Sequence, residues 1–148
     1  MYRVISFIVI FLFVAALLFL HNQNSHYTSG HTEGHTYETV EIPAGEEIPS
    51  IDGSVHQDHS GSWFVRIETD NFSFAPEKVG LEETNYKEGH AHLYINGEKV
   101  NRMYGDYYNL DYLDKGRNTV KVSLHANNHG IYMYAGEEIA FENEFHVE

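Results

Sequence analysis

Apolar and polar positions follow three different rhythms along the chain. Ile5 to Leu20, ISFIVIFLFVAALLFL, is apolar at every position but Ser6. A run with no polar face predicts a helix that seeks an apolar surrounding. His21 to about Gly61 shows little periodicity and is rich in Ser, Thr, Gly, Glu and His, with Pro43 and Pro49 among them, which predicts an extended polar linker. From Ser62 onward a period of two sets in, broken by turn residues, and predicts short strands.

The alternation assigns faces. In Trp63 to Thr69, Trp63, Val65 and Ile67 share one side, while Phe64, Arg66 and Glu68 share the other. Asn71 to Ala75 is a second short strand that Pro76 ends. His90 to Ile95 runs into Asn96-Gly97, a hairpin signal, and Glu98 to Met103 returns from it. Lys115-Gly116-Arg117-Asn118 turns into Thr119 to Leu124. The strand Ile139 to Val147 closes the pattern, with Ile139, Phe141, Phe145 and Val147 on one side. About seven short strands with no long helical pattern among them predict an antiparallel β-sandwich of the immunoglobulin or cupredoxin kind. The expected organisation is a helix over 1–21, a His-rich linker over 22–61 and a β-sandwich over 62–148.

The apolar run lies between a signal-peptide core and a full transmembrane helix in length. It ends Leu-Leu-Phe-Leu-His-Asn-Gln without the small residues a cleavage site requires, so an uncleaved anchor is expected, a cleaved signal being the other reading. Arg3 is the only basic residue before Arg66, which puts the N-terminus in the cytoplasm and the rest outside the cytoplasmic membrane. Either reading exports the domain.

Composition narrows the chemistry. The formal charge is −13, from 22 acidic residues against 9 Lys plus Arg, the wrong sign for phosphate backbones, so nucleic acid is not an expected partner. Cysteine is absent, which removes disulfides, thiolate sites and a blue-copper centre. No Gly-x-Ser-x-Gly elbow, His-Glu-x-x-His helix or phosphate-binding glycine loop occurs, and a binding protein rather than an enzyme is expected.

Histidine remains. Six of the 11 precede the strands, His21, His26, His31, His35, His56 and His59, interspersed with Glu33, Glu38, Glu46, Glu47 and Asp58. Such tracts bind metals by composition, or serve as solvated spacers. In the strand from His90, Ala91, Leu93 and Ile95 take the apolar face, so His90, His92 and Tyr94 take the other. Two imidazoles two residues apart on a strand stand about 6.5 to 7 Å apart at the backbone, within reach of one ion. Leu124-His-Ala-Asn-Asn-His129 leaves a strand with His125 and His129 and is the expected source of further ligands; Glu88 and Met103 are weaker candidates. Imidazole donors suit Cu(II), with Zn(II) as the fallback.

Asn71-Phe-Ser-Phe-Ala-Pro-Glu77, Gly89-His-Ala-His-Leu-Tyr-Ile-Asn-Gly97, Tyr104-Gly105 and Leu124-His-Ala-Asn-Asn-His129 together resemble a family of small exported bacterial β-sandwich proteins. Members often carry a His-rich N-terminal tract and are associated with copper handling outside the cytoplasm. The resemblance covers about residues 43 to 147 and implies a fold and a ligand set, His90, His92 and His129, rather than a reaction. The chain departs from the pattern at Tyr107-Tyr108-Asn109, where relatives have a His after an aromatic pair, and at His125, where Asn is expected.

Two functions follow as expectations. One is a membrane-anchored extracytoplasmic metal-binding protein that captures copper through His90, His92, His129 and His125, with the linker histidines as a weaker collector. The other is a metal-free immunoglobulin-like module that presents Tyr104, Tyr107, Tyr108, Tyr112, Tyr132 and Tyr134 to a protein or glycan. They differ in whether the His90 strand and the His129 loop meet.

Overall fold

The structure is a computed structural model that describes residues 2–25, 38–82 and 85–148. The chain divides into two compact units, Met1–Thr36 and Tyr37–Glu148. In the first, α1 spans Tyr2–Ser25. Its apolar side chains, Phe7, Ile10, Leu12, Phe13 and Leu18 among them, stand exposed around the helix rather than along one stripe. Among the described residues no helix is long and apolar enough to cross a membrane.

The second unit is almost entirely β. In chain order the strands are β1 (Thr39–Glu41), β2 (Ser50–Gln57), β3 (Trp63–Asp70), β4 (Ser73–Phe74), β5 (Glu88–Ile95) and β6 (Glu98–Met103). They continue with β7 (Tyr107–Asp111), β8 (Gly116–His125), β9 (Ile131–Tyr134), β10 (Glu137–Glu138) and β11 (Ala140–Val147). A larger sheet follows the order β1-β9-β8-β5-β4, with β6 on β5, β11 on β8 and β10 on β9; a smaller one follows β2-β3-β7. Pairing is mostly antiparallel, but β1 runs parallel to β9 and β4 parallel to β5.

Alternation builds the core. Val65 and Ile67 of β3 and Leu110 of β7 meet Ala91 and Leu93 of β5 and Val120, Val122 and Leu124 of β8 in one buried cluster shared by both sheets. The Asn96-Gly97 hairpin forms as its sequence predicts. Both residues have positive φ, 53° and 84°, the pair a type I′ turn requires.

The expected boundary between linker and domain is corrected. Residues 22–25 continue α1, and the folded unit begins at Tyr37 rather than near Ser62. β1 and β2 both belong to it, although Ser-Ile-Asp-Gly-Ser-Val-His-Gln of β2 is poor in apolar residues. Its order comes from eight paired positions along β3, with only Ile51 and Val55 packed against the core. Gly53 belongs to that pairing, since a Cβ there would lie 2.7 Å from the carbonyl oxygen of Arg66. Asn71–Ala75 narrows to Ser73–Phe74, the part that pairs with β5.

Candidate imidazole site

β5 and β8 bring the site together by register. His90 stands opposite His125 and His92 opposite Ser123 on adjacent antiparallel strands. Ala91, Leu93, Val122 and Leu124 face the core, so these four polar residues share the opposite face of the larger sheet. Gly89 permits the close approach of the two strands, because a Cβ there would overlap the carbonyl oxygen of His125. His129 arrives from the turn after β8. Its amide donates to Ala126 O at 3.0 Å, and it takes φ 72°, an unusual conformation for a residue with a side chain.

Four imidazoles therefore converge. Ring centroids of His92, His125 and His129 lie 4.8, 5.8 and 5.1 Å from that of His90, and His92 and His125 stack at 3.7 Å. The Tyr104 ring stands 6.2 Å from His90. His90, His92 and His125 retain no solvent exposure at all. Burial is the main reason their acidity shifts: the pKa of His90 falls to about 3 and that of His125 to about 4, and His92 is lowered further. The positive charges of Lys99 and Arg102 push His90 and His92 the same way. His129 is lowered too, again mainly by burial. At neutral pH the cluster is a set of neutral imidazoles.

Neighbours fix the tautomers. The Nδ1 of His125 is 3.2 Å from the carbonyl oxygen of His129, so Nδ1 carries the proton and donates it. Its Nε2 then accepts from the Ser123 hydroxyl at 2.9 Å. The Nε2 of His92 lies 3.2 Å from the Lys99 ammonium, which has only protons to give, so this nitrogen is an acceptor. The Nε2 of His90 lies 3.0 Å from the same atom. The Nδ1 of His90 is buried and has no hydrogen-bond partner among the described residues.

The residues singled out from the sequence that lie among the described residues can be placed. His90, His92, His125 and His129 come together, while Glu88 is ion-paired with Lys78 at 2.5 Å and Met103 lies in the core. Asn109 stands on β7 of the smaller sheet, bonded to Ser62 and Asp111, away from the imidazoles. His56 lies exposed on β2, bonded to Ser54, and His59 in the turn that follows; His21 belongs to α1, and His26, His31 and His35 lie outside the described residues. Of the tyrosines, Tyr132 is fully buried, whereas Tyr107 and Tyr112 are exposed.

Lys99, Arg102 and Ser123 were not anticipated. The two-residue turn at Asn96-Gly97 sets Lys99 opposite Tyr94, which the hairpin signal alone makes legible. Beyond it the register shifts by one, so that Arg102 rather than Asn101 stands opposite His92. No local pattern announces such a bulge.

Among the described residues, no group of three or more His, Cys, Asp or Glu side chains stands as it is in an arrangement to hold a metal ion. His125 illustrates the reason, since both of its ring nitrogens are committed to hydrogen bonds. No protein-family model, curated protein or solved structure matches this chain.

Proposed function

We propose that this chain is a membrane-anchored, extracytoplasmic metal-binding protein that takes copper on the imidazole face of a β-sandwich of the immunoglobulin or cupredoxin kind. The observation that carries this reading is the pair of Nε2 atoms of His90 and His92, 3.0 Å apart in a buried cluster of neutral imidazoles. Ligation would displace the shared proton and the Lys99 ammonium from this pair. His129, 5.1 Å from His90 between ring centroids, is a further donor, and His125, nearer at 3.7 Å from His92, joins only by giving up Ser123 or the His129 carbonyl.

The resemblance at Gly89–Gly97 and Leu124–His129 supports His90, His92 and His129 as ligands and departs from its pattern at His125. The apolar run of α1 supports attachment to a membrane, because side chains apolar on every side of a helix are stable only in lipid or against an apolar partner. Resistance of the membrane-associated protein to alkaline extraction tests this half; full release would refute it.

Calorimetric titration of the full chain with Cu(II) and with Zn(II), beside a His90→Gln/His92→Gln variant, tests the metal half. One tight copper site lost in the variant is the expected result. Identical isotherms for the two proteins would refute the folded site.

A further inference from the structure

We propose that the outer face of the smaller sheet binds a neutral oligosaccharide, with the rings of His56, Phe64 and Tyr107 as its platform and Asp52, Arg66 and Glu68 as the groups that read its hydroxyls. The face belongs to β2, β3 and β7 and shares no residue with the imidazole site.

Register builds the platform. Val65 and Ile67 of β3 point into the core, so Phe64, Arg66 and Glu68 point away from it. Pairing sets His56 of β2 opposite Phe64 and Tyr107 of β7 opposite Arg66. Three aromatic rings, one from each strand, therefore run in a diagonal row across the sheet. The Phe64 ring lies 5.5 Å from that of His56 and 6.4 Å from that of Tyr107, tilted to them by 36° and 38°. Neither Phe64 nor Tyr107 belongs to the core cluster, which takes Tyr108 instead, and Tyr107 is 63% exposed. The row is thus surplus to the packing of the fold.

A polar hollow adjoins the row. Asp52 and Ser54 of β2 and Arg66 and Glu68 of β3 line a space of about 130 Å³, too small to enclose a ligand but able to take the edge of one. Arg66 joins the hollow to the platform, its guanidinium 6.0 Å from the centre of the Tyr107 ring. The Glu68 carboxylate holds that guanidinium at 2.5 Å, which fixes planar donors and acceptors side by side with their charges offset.

These features select the ligand. A pyranose carries C–H groups on its faces and hydroxyls around its rim. The negative faces of aromatic rings attract the first, and planar carboxylate and guanidinium groups bind neighbouring hydroxyls in pairs. Two carboxylates beside one guanidinium, in a chain of net charge −13, disfavour an acidic sugar. A second copy of the chain or another protein fits less well. A stable protein interface covers about 800 Å² on each partner around an apolar centre, whereas this row is one ring wide and bordered by ions.

The test titrates the full chain, in a detergent without a sugar headgroup, with cellohexaose, chitohexaose and mannohexaose. Saturation transfer from the protein to the C–H protons of each sugar is the readout. At least one of the three is expected to bind the wild type. Tyr107→Ala is expected to weaken that binding about tenfold and Tyr107→Phe to retain most of it, since the ring rather than the hydroxyl forms the platform. Tyr134→Ala, which removes an exposed tyrosine from the larger sheet, is expected to leave it unchanged. Circular dichroism verifies that each variant is folded. Binding of none of the three sugars by the folded wild type would overturn the proposal, as would equal affinity in the wild type and Tyr107→Ala or an equal loss in Tyr134→Ala. Self-association that Tyr107→Ala abolishes, in place of sugar binding, would assign the face to a second copy and overturn it as well.

Discussion

The Nε2 atoms of His90 and His92 lie 3.0 Å apart, two residues along one strand and on the side of the sheet that faces away from the core. Side chains at that spacing on a flat strand would stand apart and in solvent. Here they are turned toward each other and fully enclosed beside His125 and His129.

The enclosure makes stability depend on pH. Burial lowers the folded-state pKa of His90 to about 3 and that of His125 to about 4, both below the 6.5 of a free imidazole. Between those values the unfolded chain binds more protons, so stability rises with pH and is lost as pH falls below about 6.5. Between pH 8 and pH 5, His90 alone accounts for a loss of about 2 kcal/mol. Lower pH also relieves the self-repulsion of a chain with net charge −13, so the comparison that matters is with His90→Gln/His92→Gln. Urea midpoints should fall from pH 8 to pH 5 more steeply in the wild type than in that variant.

Gly89→Ala should cost about 3 kcal/mol or more, because its methyl group would occupy the space of the His125 carbonyl oxygen and force β5 from β8. Thermal unfolding measures the cost. A midpoint within a degree or two of wild type would mean that the strands are not so closely apposed.

Tyr132 illustrates how the site is braced. Its buried hydroxyl reaches the carbonyl oxygens of Asn85 and Glu88, at 2.8 and 2.9 Å, where β5 begins. Tyr132→Phe leaves those acceptors without that donor and should lower stability by about 1 to 2 kcal/mol, read from urea midpoints at constant slope.

Ser123→Ala removes the hydrogen bond between Ser123 and the Nε2 of His125. With a hydrogen bond worth about 1 kcal/mol no longer in competition, the copper dissociation constant should fall about fivefold. An unchanged constant would exclude His125 from the ligand set.

Much of this fold could be read from the chain because period-two alternation is imposed by a buried face: Val65 and Ile67, Ala91 and Leu93, and Val120, Val122 and Leu124 all take the side their spacing predicts. β1 and β2 were hidden because each offers only one or two apolar residues, Val40, Ile51 and Val55, to the core, too few to set up a visible alternation. The imidazoles could be placed on one face by alternation, and His125 and His129 could be grouped with them by position. Their complete burial could not be read, since it depends on what stands over the sheet. Nor could Arg102, which reaches its place through a register shift that no residue type signals.

The most direct test of the imidazole site is electron paramagnetic resonance of the full chain with one equivalent of Cu(II), beside His90→Gln/His92→Gln. Copper held by this cluster predicts a tetragonal signal with superhyperfine structure from several imidazole nitrogens, which collapses in the variant. The same spectrum in both proteins would place the copper elsewhere in the chain and contradict a site built on His90 and His92.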